Sequence, residues 1–276
     1  MPHDSAGRRS RFKRTPSGKH VVLGARDIEI LRHLYRYRYL RAPQLIAFLK
    51  PRSHKRFIER LGDLYHETAC IDRPQAQWRR FDARYTPIVY ELSHKGLRML
   101  QTHGPLPHRV TSIARQSRPG AAIQFDHAMM IVDALVEVEL QTLATPGQRF
   151  VPVDEILERA PEKTKKAIRP LEIPVTIMPS KELPFLKHPL HTHIVPDGLY
   201  GIEHEIGGQK RYRFFALECE RESPARRGNA RLSSTVLKKA AYAALIKAGT
   251  YREVWGVPNL GSKYGGKKIP RLLAEN

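Results

Sequence analysis

The sequence predicts a mixed α/β chain, α+β overall, built as two domains. Three observations carry this. Apolar residues recur at helical spacing in the N-terminal third, led by Ile28, Leu31, Leu34 and Tyr35, and give way to the strand-like run Ile88–Leu92. After residue 120 a helical stretch is followed by several strand-like runs and a second long helix. Between these regions Gly104–Gly120, rich in Pro, Ser and Arg, reads as a linker. A length of 276 residues agrees, because domains run to roughly 100–200 residues each. With 41% hydrophobic and 27% charged residues the chain can bury a core, which excludes global disorder.

The elements follow in order. Residues 1–20 carry Arg8, Arg9, Arg11, Lys13, Arg14 and Lys19 among Ser, Gly and Pro, and read as a disordered basic arm. The first helix buries Ile28, Leu31 and Leu34 and turns Arg32, Arg36 and Arg38 outward. Pro43 opens a second, short helix that ends before Pro51. Ser53 is placed to cap a third helix, with Phe57, Leu61 and Leu64 inside and His54, Lys55, Arg56 and Arg60 outside. A polar basic stretch, Gln75–Arg84, precedes the Ile88–Leu92 strand and a short helix, Ser93–Leu100. Three helices and then a two-stranded ribbon with a charged tip is the order of a winged helix-turn-helix, here spanning 21–103, with 104–120 as linker.

The second domain, 121–260, opens with a helix over Phe125–Leu143 whose Met129, Val132, Val136 and Leu143 form one stripe. Strand-like runs follow at Arg149–Val153, Ile173–Met178, His193–Ile202 and Tyr212–Arg221. A helix from Ser233 to Ala248 stops at Gly249, a last strand is expected at Glu253–Val257, and 261–276 reads as a basic tail.

Charge and composition narrow the function. Lys and Arg number 48 and Asp and Glu 27, a net +21, and residues 1–100 hold 22 against 9, or +13 of that excess. Such a field concentrates polyanions, so double-stranded DNA is the expected partner rather than a membrane surface. No stretch approaches the ~18 uncharged apolar residues of a membrane span; the most apolar window, Ala128–Leu140, is broken by Asp133, Glu137 and Glu139. No apolar segment follows the basic N-terminus, which excludes a secretory signal. Two cysteines, Cys70 and Cys219, exclude a disulfide framework and an all-cysteine zinc site. A cytoplasmic setting is expected.

Arg56 and Arg60 lie four apart on the third helix with Lys55 beside them, a spacing that suits guanine edges or phosphates in the major groove. With Arg52 ahead of the helix and Arg79 and Arg80 in the tip of the ribbon, they form the expected DNA-binding set. The alternative is an ordinary solvated helix face. The segments Arg26-Asp-Ile-Glu-Ile-Leu-Arg-His-Leu, Ala42-Pro-Gln-Leu, Arg60-Leu-Gly-Asp-Leu and Val89-Tyr-Glu-Leu-Ser-His-Lys-Gly96 carry a resemblance to the replication-relaxation family of bacterial plasmid and mobile-element proteins. It covers about residues 21–100 and extends more loosely into the C-terminal half. It implies a role in plasmid replication, relaxation or mobilisation.

The second constellation is acidic. Gly207-Gly208 is a two-residue hairpin signal. If these glycines form the turn, facing residues sum to 415, which sets Glu205 opposite Lys210 and Asp197 opposite Glu218. Facing side chains sit about 4.5–5.5 Å apart at Cβ, and Glu220 shares a face with Glu218. Three convergent carboxylates are a ligand set for Mg²⁺ or Mn²⁺, which would polarise a phosphodiester and activate water. This arrangement is similar to the PD-(D/E)XK nucleases, and helix, three strands, helix, strand matches their restriction-endonuclease-like αβββαβ core, although Ile173–Met178 is one strand more than it needs. The resemblance implies that Asp197 and Glu218 hold metal. Glu220 stands where the family usually has Lys, as in some restriction enzymes, and Lys238 or Lys239 would supply the positive charge. The catalytic set is then Asp197, Glu218, Glu220 and Lys238. In the alternative reading the acids are solvent-exposed and paired with Arg213 or Arg221, and the chain is a non-catalytic DNA-binding regulator or an accessory to a relaxase or another mobile-element protein.

Two weaker signals remain. Glu139 interrupts the apolar stripe of its helix, so it either approaches the metal or points to solvent from an edge. His188, His191 and His193 could ligate zinc, but Thr192 breaks the His-hydrophobic-His pattern of relaxases and no fourth ligand is evident.

Overall fold

The computed structural model describes residues 11–80, 86–107, 121–219 and 235–265. The chain divides into two compact units that part between Val132 and Asp133. Helices and sheets are mixed in both. Among the described residues no helix is long and apolar enough to cross a membrane.

In the first unit, α1 (Ala25–Tyr37) leads into β1 (Tyr39–Arg41), α2 (Ala42–Leu49) and α3 (His54–His66). Then come β2 (Ile71–Asp72), a 3-10 helix (Gln75–Arg80), β3 (Val89–Leu92) and α4 (His94–Gln101). The 28/31/34 periodicity of α1 and the 57/61/64 periodicity of α3 bury the same residues the spacing predicts. Ser53 caps α3, its hydroxyl accepting the Arg56 N–H at 3.3 Å, and Ser93 caps α4 in the same way through Gly96. The three strands form one antiparallel sheet in the order β1-β3-β2. Buried Gln77 completes it from the side. Its amide donates to the Val89 carbonyl and accepts the Val89 N–H, both at 2.9 Å, as a neighbouring strand would.

Residues 11–20 have no helix or strand, yet they are tied to the unit. The Arg14 guanidinium donates to the Tyr65 and Ile71 carbonyls and lies over the Tyr65 ring, Tyr65 OH donates to the Phe12 carbonyl, and Lys19 reaches Asp63. Arg14 and Lys19, two of the basic residues of the expected free arm, are drawn to a carbonyl and an acid in the last turn of α3, where the helix dipole favours cations.

α5 (Ala121–Leu143) runs through the boundary between the units. The second unit continues with β4 (Gln148–Val151), α6 (Val153–Glu158), α7 (Glu162–Lys165), β5 (Ile173–Ile177), β6 (Leu190–Ile194), β7 (Gly198–Ile206) and β8 (Gln209–Cys219). It ends with α8 (Thr235–Ala248), α9 (Thr250–Trp255) and β9 (Gly261–Gly265). The main sheet has the order β4-β7-β8-β9, with β9 parallel to β8 and the other pairs antiparallel. Leu199, Phe214 and Ala216 on one face form a common core with Leu237, Ala241 and Leu245 of α8. Gly207 and Gly208 both have positive φ, 59° and 75°, which a type I′ turn demands, and the observed register sums to 415 along all of β7.

Three elements differ from the sequence reading. The run His193–Ile202 is not one strand: Pro196, without an N–H to donate, separates β6 from β7. β6 pairs only with β5, so the surplus strand Ile173–Met178 belongs to a separate two-stranded sheet. Glu253–Val257 is not the last strand either. Tyr251 and Trp255, four apart, bury one face of α9, and Gly249 and Gly256 bound it in the left-handed region. The last strand instead lies at Gly261–Gly265, inside what reads as the basic tail.

Candidate functional site

The acidic site is built where β7 begins and β8 ends. Asp197 directly precedes β7, and its Oδ2 accepts the Cys219 backbone N–H at 2.8 Å. Glu218 lies on the β8 face that meets α8 and is only 3% exposed. Lys238 and Tyr242, one turn apart on α8, both reach it. The Lys238 ammonium donates to Oε2 and the Tyr242 hydroxyl donates to Oε1 at 2.7 Å. Tyr264 of β9, beside Glu218 in the register, packs edge-on against Tyr242 at 6.4 Å.

Electrostatics follow from this packing. Burial, reinforced by the Asp197 charge, pushes the Glu218 carboxyl above the usual range, while Lys238 and the Tyr242 hydroxyl oppose the shift. Burial with Asp197 and Glu218 nearby raises the Cys219 thiol to about 12, and Asp133 of α5 adds to the same effect. Burial, with Glu218 beside it, also drives the Tyr242 phenol upward. Cys219 is thus an inert thiol and Tyr242 a fixed donor.

The structure therefore brings together Asp197, Glu218 and Lys238, and pairs Glu218 with Lys238 rather than with Arg213. Glu220 lies outside the described residues. Sequence reasoning missed Tyr242 and Asp133. Tyr242 follows Lys238 by four residues, so the helical phase that selects one selects the other. Asp133 was visible as a charge inside the most apolar window of the chain. Glu139 is buried at 7% exposure and so does not point to solvent.

Among the described residues no group of three or more His, Cys, Asp or Glu is spaced to hold a metal. The histidine triad is not a zinc site: His191 and His193 stand exposed on β6, and His191 Nδ1 is 2.9 Å from the Thr176 hydroxyl. Asp197 and Glu218 are two carboxylates, a number Mg²⁺ commonly takes from a protein while keeping several waters, and both oxygens of Glu218 already accept from Lys238 and Tyr242.

In the first unit Arg52, His54, Lys55, Arg56, Ile58 and Glu59 are exposed on and just before α3. Arg60 is not with them. Its Nε donates to Asp27 Oδ1 at 3.0 Å, and a terminal nitrogen pairs with Asp27 Oδ2 and the Val22 carbonyl. Four residues after Arg56 the helix has rotated by about 40°, enough for the guanidinium to reach back to the buried acid of α1. Arg79 and Arg80 close the 3-10 helix, and their side chains lie outside the described residues.

No curated protein and no solved structure matches the chain. The model of the replication-relaxation family matches residues 31–259, which takes in α3, β7, β8 and Lys238 alike, and the chain belongs to this family.

Proposed function

We propose that the protein binds duplex DNA through a winged helix in its first unit and acts on a phosphodiester with the restriction-endonuclease-like second unit. Membership in the replication-relaxation family supports a role in plasmid or mobile-element replication or relaxation. One observation carries the catalytic half of the reading: Asp197 and Glu218 stand side by side at the strand ends with Lys238 on Glu218. The alternation of helices with a β1-β3-β2 sheet and the exposed Lys55 and Arg56 support the binding half.

Each residue then has a role. Asp197 and Glu218 would hold Mg²⁺ or Mn²⁺. Such an ion, when bound, supplies Lewis acidity and an activated water. The Cys219 N–H and the Tyr242 hydroxyl orient the two carboxylates, and Lys238 sets a positive charge where a phosphate must approach. A second reading rests on a separate observation. Both oxygens of Glu218 already have donors, so the pair is also self-sufficient as the buried polar centre of a non-catalytic accessory protein.

Plasmid DNA incubated with Mg²⁺ or Mn²⁺ tests the reading. Wild type should nick or cut it, and Asp197→Asn should abolish the reaction while leaving DNA binding nearly intact. Metal should also raise the melting temperature of wild type, by the equivalent of about 2.7 kcal/mol at a hundredfold excess over the dissociation constant, but not that of Asp197→Asn. No cleavage and no metal-induced shift in wild type would leave the accessory reading.

A further inference from the structure

The β7–β8 hairpin sorts its charges by face. Strand side chains alternate, so Glu203 and Glu205 project to one side, where Lys210 pairs with Glu203 at 2.9 Å and Arg149 pairs with it at 2.7 Å. On the opposite face the described residues of β7 and β8 themselves include no acid. There Arg211 stands across from His204 and Arg213 across from Ile202, and both arginines are exposed. Neither arginine has an ion-pair partner among the described residues. Two residues along a strand span about 7 Å, so the guanidinium groups form a short row rather than one point of charge.

The neighbouring strand extends the row. Lys263 of β9 is exposed and its ammonium sits over the Phe215 ring, 5.3 Å from the centroid. The ring holds the cation on this face by its quadrupole. Phe215 itself is flanked by Tyr200, centroids 5.3 Å apart, and by Lys263, so its ring is already engaged rather than open for a base to stack on. A cationic row without a free aromatic platform fits a phosphate backbone better than unstacked bases.

We propose that this face, through Arg211, Arg213 and Lys263, is a second DNA contact surface that holds the backbone of a duplex. It rests on the reading of the chain as a DNA-binding protein, but not on α3 being the part that binds. A second site would let one molecule grip duplex through its C-terminal unit even when the N-terminal unit is released.

The test is the salt dependence of binding to a duplex oligonucleotide and, separately, to a single strand. Each phosphate contact contributes about 0.9 to the log–log slope for duplex and about 0.7 for a single strand. Arg211→Gln/Arg213→Gln/Lys263→Gln should lower the duplex slope by about 2–3, with the melting temperature unchanged because all three side chains are exposed. Lys263→Gln alone should lower it by about 1, which guards against a folding defect in the triple variant. Lys55→Ala/Arg56→Ala is measured in parallel. If the sheet variants keep the wild-type slope while the α3 variant loses affinity, the sheet proposal is overturned and the winged-helix reading stands. The reverse pattern overturns the winged-helix reading and keeps the sheet site. A change confined to the single strand overturns the duplex assignment, and a wild type that binds neither DNA overturns both.

Discussion

Arg60 offers the sharpest separation between architecture and recognition, since its spacing from Arg56 argues for DNA contact and its environment argues for the core. Asp27 is 4% exposed in the first turn of α1, and Arg60 meets both of its oxygens. Arg60→Met keeps the aliphatic stem and removes the charge, so a buried carboxylate loses its cation. Breaking a buried pair in this way costs about 3–5 kcal/mol. The Arg60 side chain is 30% exposed, however, and solvent screens part of the interaction, which lowers the expectation to about 2–3 kcal/mol. At about 4 °C per kcal/mol the melting temperature should fall by about 8–12 °C. Arg56→Ala, on an exposed position, should move stability by less than about 0.5 kcal/mol yet weaken duplex binding by about 1–3 kcal/mol if it makes a bidentate base contact. Thermal unfolding and a binding titration well below both melting temperatures read the two effects separately. An Arg60→Met protein of unchanged stability with lost DNA affinity would refute the assignment of Arg60 to the core.

The other outcomes follow from local geometry. Arg149 and then Lys210 hold the Glu203 carboxyl down to about 2, so its contribution is complete above the unfolded value near 4.5 and is lost as pH falls toward 2; urea midpoints between pH 5 and pH 3 should drop, and Glu203→Gln should flatten that dependence. A Cβ at Gly96 would meet the Cys70 carbonyl oxygen at 2.1 Å, and since backbone cannot give way, Gly96→Ala should destabilise by about 3 kcal/mol in denaturant unfolding. Removing residues 1–20 deletes six Lys/Arg and one Asp; it should flatten the salt slope of DNA binding and, because Arg14 and Lys19 are tied to α3, also lower the melting temperature, whereas a flattened slope at unchanged stability would mean those ties contribute nothing.

How much of this was legible depends on whether the determining interaction is local. The Gly207-Gly208 turn sets the register of everything behind it, so Asp197 could be set against Glu218 from twenty residues away. Lys238 was legible because a helix had to follow β8 and cover it. β9 was not. Gly-Ser-Lys-Tyr-Gly has neither alternation nor apolar bulk, and its strand exists only through parallel pairing with β8, a contact across some forty residues of chain. α9 was misread because Glu-Val-Trp-Gly-Val looks β-rich in isolation, while its decisive spacing, Tyr251 to Trp255, starts before that window. Arg60 failed for a related reason. Its outer-face assignment ignored Asp27, although Asp27 falls at the core-facing phase of Leu31 and Leu34, and a buried acid there requires a cation from elsewhere.

The same requirement governs the acidic site and gives it functional weight. A buried Glu218 beside Asp197 is costly to fold around, because burial and the neighbouring charge both disfavour the carboxylate. Lys238 and Tyr242 offset that cost but do not reverse it, since a buried ion pair replaced by apolar residues of equal volume is often neutral or stabilising. The core around the site is apolar, with Leu237, Ala241 and Leu245 on the same helix, so an apolar residue at 218 would have had ready neighbours. Stability alone thus gives no reason for a Glu at position 218 with a Lys and a Tyr delivered to it from one helix face. The proposed chemistry at a phosphodiester would supply one: it requires anionic oxygens to hold a cation, and a fixed positive charge for the phosphate, within one side chain's reach of each other.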